Sequence, residues 1–139
     1  MAIFSFDIEP LAQARPRIAP RPYPHIYDPN NVKKYKEELH SLAVQKMKES
    51  GLKLFDGALF IKISFYRPIQ KSVSKKEHAR RSIGHVLPVK KPDLDNYIKS
   101  TLDALNGAIW TDDAIIVDMF TRKRYSEQPR IDVEVLEIG

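Results

Sequence analysis

The stretch that decides the fold is residues 90–113, K-K-P-D-L-D-N-Y-I-K-S-T-L-D-A-L-N-G-A-I-W-T-D-D. Proline disfavours helix in the residue before it, so a helix is predicted to begin near Asp93–Asp95, and Asn106-Gly107 is a typical helix end. Apolar residues recur at helical spacing and predict the buried stripe of this helix: Leu94, Ile98, Leu102 and Leu105. The stretch therefore predicts one amphipathic helix followed by an acidic turn.

The opposite face of this helix is charged. Asp95, Lys99 and Asp103 are four residues apart and share that face. This has an ordinary explanation, because acids near a helix N-terminus and acid–lysine pairs at this spacing stabilise surface helices. A second acidic pair, Asp112 and Asp113, directly precedes a strongly β-forming run. Carboxylates from the helix start and from this turn could meet at one end of a sheet, and such oxygen ligands suit Mg²⁺ or Mn²⁺.

Alternating apolar residues predict strands on both sides of the helix. A first helix is expected over residues 32–47, with Gly51 just beyond its end. The predicted strands are residues 2–8, 59–65, 115–120 and 131–135. The expected architecture is a single α/β (α+β) domain over residues 1–139, in the order β-α-β-loop-α-β-β. It would contain a four-stranded mixed sheet and two main helices, with the last two strands paired as an antiparallel hairpin.

The composition favours an anionic partner. The 139 residues carry a net charge of +5, which is most often a sign of nucleic-acid binding. Without cysteine, disulfides and thiolate zinc sites are excluded. No apolar run approaches the roughly 18–20 residues of a membrane span. Asp7 and Glu9 replace the basic region that a signal peptide would have, so a cytoplasmic protein is expected.

Two basic segments are candidates for contact with DNA. The proline-rich residues 14–24 are predicted to be either an extended surface linker or an arm whose arginines lie along a phosphate backbone. Residues 69–91 contain one acid, Glu77, and are predicted to be a basic mobile loop that orders on nucleic acid, or a disordered loop without a role. The candidate DNA-binding residues are Arg15, Arg17, Lys75, Lys76, Arg80, Arg81, Lys90 and Lys91.

Three motifs together resemble one protein family. They are K-P-D-L-D-N-x-x-K at residues 91–99, L-D-A-L-N-G at 102–107 and W-T-D-D-A-I-I-V at 110–117. In this combination and spacing the chain resembles the RusA family of Holliday junction resolvases, small dimeric endonucleases of bacteria and their phages. R-P-R at residues 15–17 and Y-D-P at 27–29 look like the phage-type branch, which is consistent with a prophage origin.

The resemblance implies a role for individual residues. Asp93, Asp95 and Asp113 take the places of the metal-binding, catalytic carboxylates, and Lys99 matches the catalytic helix lysine. Some members have a basic residue directly before the first aspartate. This chain has Pro92 there, which leaves open whether one of the two preceding lysines substitutes for it.

The implied activity is Mg²⁺-dependent, with Mn²⁺ as a second choice. A homodimeric, structure-specific endodeoxyribonuclease would resolve four-way DNA junctions by paired phosphodiester hydrolysis during recombination and repair. Two alternatives remain open from the residues. One is a module that binds branched DNA without cutting it, its acids serving as helix caps. The other is a metal nuclease that acts on flaps, forks or RNA.

Overall fold

The chain combines a four-stranded sheet with helices and a small separate ribbon. The computed structural model describes residues 1–15 and 17–139. The strands are β1 (Ala2–Phe6), β2 (Arg17–Ala19), β3 (His25–Tyr27), β4 (Leu59–Pro68), β5 (Ile116–Ser126) and β6 (Arg130–Glu137). The helices are α1 (Asn30–Glu49), α2 (Lys75–Ser82) and α3 (Leu94–Leu105), and a short 3₁₀ turn, Asp113–Ile115, precedes β5. The four predicted strands, the two main helices and the mixed sheet are confirmed, whereas β2, β3 and α2 are additional.

The order of strands in the sheet is β1-β6-β4-β5. β4 and β5 are parallel, and α3 lies in the connection between them, as a parallel pair requires. β6 is antiparallel to both β4 and β1. The predicted hairpin of the last two strands is therefore wrong. The physical reason is burial: the alternate residues Ile131, Val133 and Val135 of β6 are fully buried, so β6 occupies the interior of the sheet. β5 has no buried residue and forms an edge.

Helix α1 covers the core with one apolar stripe. Its buried residues follow helical spacing, as predicted: Val32, Tyr35, Leu39, Ala43 and Met47. Gly51 has a φ of 66°, the left-handed conformation that glycine adopts most easily after a helix. Although α1 is 20 residues long, no helix in the described part of the chain is apolar enough to cross a membrane.

Helix α3 is rotated relative to the prediction. Its buried residues are Tyr97, Ser100, Thr101, Ala104 and Leu105, whereas three predicted core residues, Leu94, Ile98 and Leu102, are only half-buried. One polar and one aromatic contact with other elements account for this rotation. Thr101 Oγ1 lies 2.9 Å from the Tyr35 hydroxyl on α1, and the ring of Tyr97 stacks on Phe65 of β4. Leu94, Ile98 and Leu102 therefore lie at the border of the core.

The basic segment 69–91 contains a helix, so its prediction as a loop is wrong in this respect. Ser74 caps α2, its hydroxyl accepting a hydrogen bond from the Glu77 backbone N–H at 3.1 Å. Glu77 in turn pairs with Arg80 and Arg81 at 3.2 and 2.9 Å. Because α2 buries no residue, hydrophobic periodicity does not reveal it. The Ser-x-x-Glu capping pattern is the sequence signal that could have done so.

Candidate active site

Asp93 and Asp95 stand at the N-terminus of α3, as predicted. Asp93 is the residue at the cap position, yet its side chain makes no capping hydrogen bond, and only its backbone carbonyl accepts from Asn96 and Tyr97. Asp95 lies in the first helical turn, and both carboxylates are exposed. A capping role would require the Asp93 carboxylate to accept a bond from the helix backbone. The geometry therefore leaves this carboxylate available for another role.

Two basic side chains hold the segment that leads into Asp93. Lys123 Nζ on β5 donates to the carbonyl oxygens of Lys90 and Pro92 at 2.9 and 2.8 Å. Arg67 Nη1, at the end of β4, donates to the carbonyls of Lys90 and Lys91 at 3.4 and 3.3 Å. Burial, and next the charge of Arg67, lowers the pKa of Lys123, while Asp93 acts in the opposite direction. The backbone before α3 is thus positioned by two cations close to Asp93.

Sequence reasoning missed Arg67 and Lys123. They are distant along the chain from the motif. They belong to the neighbouring parallel strands β4 and β5, in which Arg67 lies opposite Tyr125, two residues after Lys123. No spacing rule connects them to residues 90–92. Arg67 and Lys123 add two basic groups from the sheet to the surroundings of Asp93, and whether Lys90 or Lys91 substitutes for a basic residue directly before Asp93 stays a prediction.

The two acids after α3 have different surroundings. Asp112 caps the 3₁₀ turn, because its Oδ2 accepts a hydrogen bond from the backbone N–H of Ala114 at 3.1 Å. Within residues 1–15 and 17–139, the carboxylate of Asp113 accepts no hydrogen bond. Asp113 is half-buried and lines a groove with Lys99 and Asp103 of α3. The structure therefore brings Asp113 and Lys99 to one surface.

This groove has a volume of about 500 Å³. Ile98 and Leu102, two of the three half-buried residues of the predicted core stripe, form part of its wall. Gln13, Asp28 and Lys36 complete the lining from the other side. It is a half-open surface with an apolar wall and charged groups of both signs.

Lys36 joins two of the carboxylates in this groove. Its Nζ lies 2.8 Å from Asp28 and 3.1 Å from Asp103, and Gln13 Nε2 donates to Asp28 at 3.0 Å. The hydrogen bond from Lys36 lowers the pKa of Asp28. Burial opposes the charged form of Lys36, but the hydrogen bonds to both aspartates outweigh it and raise its pKa. Asp103 therefore forms its ion pair with Lys36. In the described part of the chain, no ion pair joins Lys99 to Asp95 or Asp103.

The pairing of Asp28 predicts a pH-dependent stability. A carboxyl with a lowered pKa in the folded protein stabilises it above the unfolded pKa of about 4, and this contribution is lost as the pH falls through the folded value. Asp28→Asn should therefore lower the free energy of unfolding at pH 7 by about 1 kcal/mol, as expected for a partly exposed ion pair. Urea unfolding at pH 7 and at pH 3 measures this.

The difference between the wild type and Asp28→Asn should shrink between those two pH values. Asp56→Asn serves as the control, because Asp56 is exposed and pairs with no other residue that the structure describes. An equal loss at both pH values would show that shape, rather than charge, determines the effect at position 28.

A hard metal ion is chemically suited to the acids of this region. Asp93, Asp95 and Asp113 offer only oxygen donors, as Mg²⁺ prefers, and no described residue hydrogen-bonds to their carboxylates. The structure does not assemble them into one ligand cluster: residues 1–15 and 17–139 contain no group of three or more acidic or histidine side chains placed to hold a metal. Mg²⁺ usually needs only one or two carboxylates together with substrate phosphate and water. The assignment of these three ligands stays a prediction.

The predicted DNA-binding residues lie on three separate elements. Arg15 and Arg17 are exposed at the start of the β2–β3 ribbon. Lys90 and Lys91 have exposed side chains, and they lie on the segment whose backbone carbonyls accept hydrogen bonds from Arg67 and Lys123 of the sheet. The remaining four, Lys75, Lys76, Arg80 and Arg81, belong to α2.

Arg81 differs from the other three basic residues of α2. Its guanidinium lies over the ring of Tyr125 at 4.8 Å, and its side chain is only 17% exposed. Lys75, Lys76 and Arg80 are exposed. Arg81 therefore attaches α2 to β5, while the other three project into solvent.

Comparisons with known proteins support the family resemblance of the sequence motifs. A protein of Bacillus subtilis strain 168 described as "Uncharacterized protein YqaN" is 39% identical over 134 residues, which cover 94% of this chain and 92% of that relative. The family model described as endodeoxyribonuclease RusA matches residues 7–136. That range includes every motif on which the resemblance rested. The chain therefore belongs to the RusA family of endodeoxyribonucleases.

Proposed function

We propose that this protein is a metal-dependent endonuclease that resolves four-way DNA junctions in recombination and repair. The observation that carries the proposal is a contrast among the acids around α3. Asp112 caps a turn and Asp103 pairs with Lys36, whereas Asp93 and Asp113, which take the places of the family's metal-binding carboxylates, make no side-chain hydrogen bond with any described residue. Acids that served only to stabilise the fold would be engaged in the same way as their neighbours.

The roles of the residues follow from charge. When bound, Mg²⁺ supplies an activated water and positive charge at a non-bridging phosphate oxygen, and Asp93, Asp95 and Asp113 would hold it. The ammonium of Lys99, on the groove side of α3, would hold the phosphate or stabilise the charge that develops in the transition state. Lys90 and Lys91 add positive charge just before the N-terminus of α3 and would attract the DNA backbone.

The family also implies a homodimer, which we propose as the active form. A four-way junction has approximate two-fold symmetry, and a C₂ dimer presents two equivalent sites for paired cuts. Sedimentation equilibrium of the purified protein would give a mass of two chains. A monomer that makes paired cuts at wild-type rate would contradict this part of the proposal.

The decisive experiment is cleavage of a synthetic four-way junction with and without Mg²⁺. Three-way, flap, fork, linear and RNA substrates are compared at one salt concentration, because salt alone changes affinity strongly. We expect symmetric paired cuts of the junction that disappear with EDTA. Binding without cutting in Mg²⁺ and Mn²⁺ would indicate a binding module, and faster cleavage of flaps, forks or RNA would indicate a different nuclease.

Exposed charges of α2 should contribute to the salt dependence of junction binding. Each phosphate neutralised changes the slope of log K against log salt by about 0.9 in duplex DNA. Changing Lys75, Lys76 and Arg80 together to Gln should therefore weaken binding and reduce the slope by about 2–3 if all three reach phosphates. Fluorescence polarisation between about 50 and 200 mM salt measures it.

A matched variant separates local contact from net charge. Lys33, Lys34 and Lys48 are exposed on α1, and changing them to Gln removes the same total charge. Arg81 is left intact because it packs on Tyr125. Equal slopes in the α1 and α2 variants would mean that α2 does not contact the DNA.

A further inference from the structure

The β2–β3 ribbon exposes a pair of isoleucines. Ile18 and Ile26 are direct partners across the two antiparallel strands, so their side chains lie on the same face of the ribbon. They are 75% and 71% exposed. Two aliphatic side chains this exposed, at the middle positions of two three-residue strands, contribute little to folding, so this face is available for a partner.

The charge of the ribbon indicates what that partner is. Residues 14–27 contain Arg15, Arg17 and Arg21 and no Asp or Glu. All three arginines are exposed. Arg17 is adjacent to Ile18 in β2 and therefore lies on the opposite face of the ribbon. A ribbon with an apolar pair on one face and only positive formal charges suits a polyanion that also has apolar surfaces. Nucleic acid, with phosphates outside and base faces inside, has this combination.

On the other face of the ribbon, three aromatic side chains lie close to one another. The His25 ring lies 5.3 Å from the ring of Tyr23 and 6.0 Å from that of Tyr27. His25 Nδ1 is 2.8 Å from the carbonyl oxygen of Tyr23. These contacts stiffen the turn and β3 on the side away from the isoleucines. Ile18 and Ile26 therefore lie on the face of the ribbon opposite these rings.

The base of the ribbon is attached to the catalytic helix. Backbone N–H of Gln13, just before the ribbon, donates to the carbonyl of Asn96 at 2.8 Å, and Ser100 Oγ donates to the carbonyl of Leu11. Gln13 Nε2 also bonds with Asp28, just after the ribbon, and so closes the loop at its base. The ribbon thus projects from the same helix, α3, that carries Lys99.

From these observations we propose that Ile18 and Ile26 form an apolar wedge that inserts between bases of branched DNA, while the ribbon arginines contact the adjacent phosphates. Aliphatic side chains inserted at a base step unstack it and bend the duplex. The cost is lowest where stacking is already interrupted, as at the crossover of a junction. The inference rests on the proposed function, because it concerns how the same protein recognises its DNA.

The test uses a four-way junction with 2-aminopurine beside the crossover, in EDTA so that no strand is cut. Unstacking raises the fluorescence of this base. Wild-type protein should raise it at saturation, and Ile18→Ala with Ile26→Ala should lose most of the increase and about tenfold in affinity. The salt slope should stay that of the wild type, because no charge is removed. Ile3→Ala, at an isoleucine 69% exposed on β1, is the matched control.

Each outcome decides the inference. Equal fluorescence increases in the wild type and the double variant at saturation would overturn it while leaving junction cleavage untouched. A wild type that binds no junction would overturn the proposed function and the wedge together. If the double variant instead loses self-association in sedimentation, with unchanged fluorescence on DNA, the isoleucines contact a second copy of this chain and the wedge is wrong. Circular dichroism of both variants is used to check that the fold is kept.

Discussion

Junction cleavage should be abolished when Asp113 is replaced by Asn. The amide has the shape of the carboxylate but neither its charge nor its affinity for Mg²⁺, so cleavage should fall by at least about 10²–10³-fold. Binding should be unchanged or tighter, because a negative charge beside the phosphate has been removed. The same is expected of Asp93→Asn and Asp95→Asn. Single-turnover cleavage, with polarisation for affinity, measures both effects.

The neighbouring acid provides the control. Asp112 bears the same charge one residue away, but its carboxylate caps the 3₁₀ turn. Asp112→Asn keeps an oxygen that can cap the turn, so it should lower stability by well under about 1 kcal/mol and change cleavage much less than the other three substitutions. Near-normal cleavage by any one of the other three Asn variants in Mg²⁺ would remove that residue from the set of essential ligands.

Lys99→Ala should keep the fold and the affinity for junctions but lose cleavage at least tenfold. Two roles are possible for a lysine four residues after Asp95. A surface ion pair would contribute only about 0.3–0.5 kcal/mol, and no such pair is formed between Lys99 and the described acids of α3. A cation that stabilises developing charge would contribute about 3–4 kcal/mol, or about 10²–10³ in rate. Single-turnover rates at saturating Mg²⁺ distinguish the two magnitudes.

A positive charge at position 99 should not by itself be sufficient for full cleavage activity. Lys99→Arg should restore cleavage only partly, because a planar guanidinium does not place its charge where an ammonium does. Lys33→Ala removes a comparably exposed helix lysine on α1 and should leave cleavage unchanged. Normal cleavage by Lys99→Ala would return this residue to the solvent-exposed face and leave the three aspartates as the catalytic set.

Local patterns were sufficient for most elements. Alternation located four strands, and helical spacing with Gly51 just beyond its end located α1. The start of α3 at Asp93 followed from Pro92, because proline restricts the residue before it. The motif residues also identified the family. These features depend on residues within a few positions of one another, which is the range over which periodicity and turn chemistry act.

Prediction of α3 was correct in extent and wrong in orientation. Hydropathy placed Leu94, Ile98 and Leu102 in the core, but Tyr97 and Thr101 are the residues that pack on the sheet and on α1. A residue with a hydroxyl group, such as Thr101, is buried in the core only when a partner such as Tyr35 forms a hydrogen bond with that group. Such partners are supplied by other elements, so their effect cannot be read from the helix itself.

By itself, the sequence determined the elements, the basic character of the chain and the identity of the motif residues. Tertiary structure alone decided that β6 lies between β1 and β4, that Lys36 engages Asp103, and that Arg67 and Lys123 hold the backbone before Asp93. Each of these depends on groups that are distant along the chain and meet only when the sheet has formed. Burial and electrostatics act through space rather than along the sequence, so they select partners that no spacing in the sequence records.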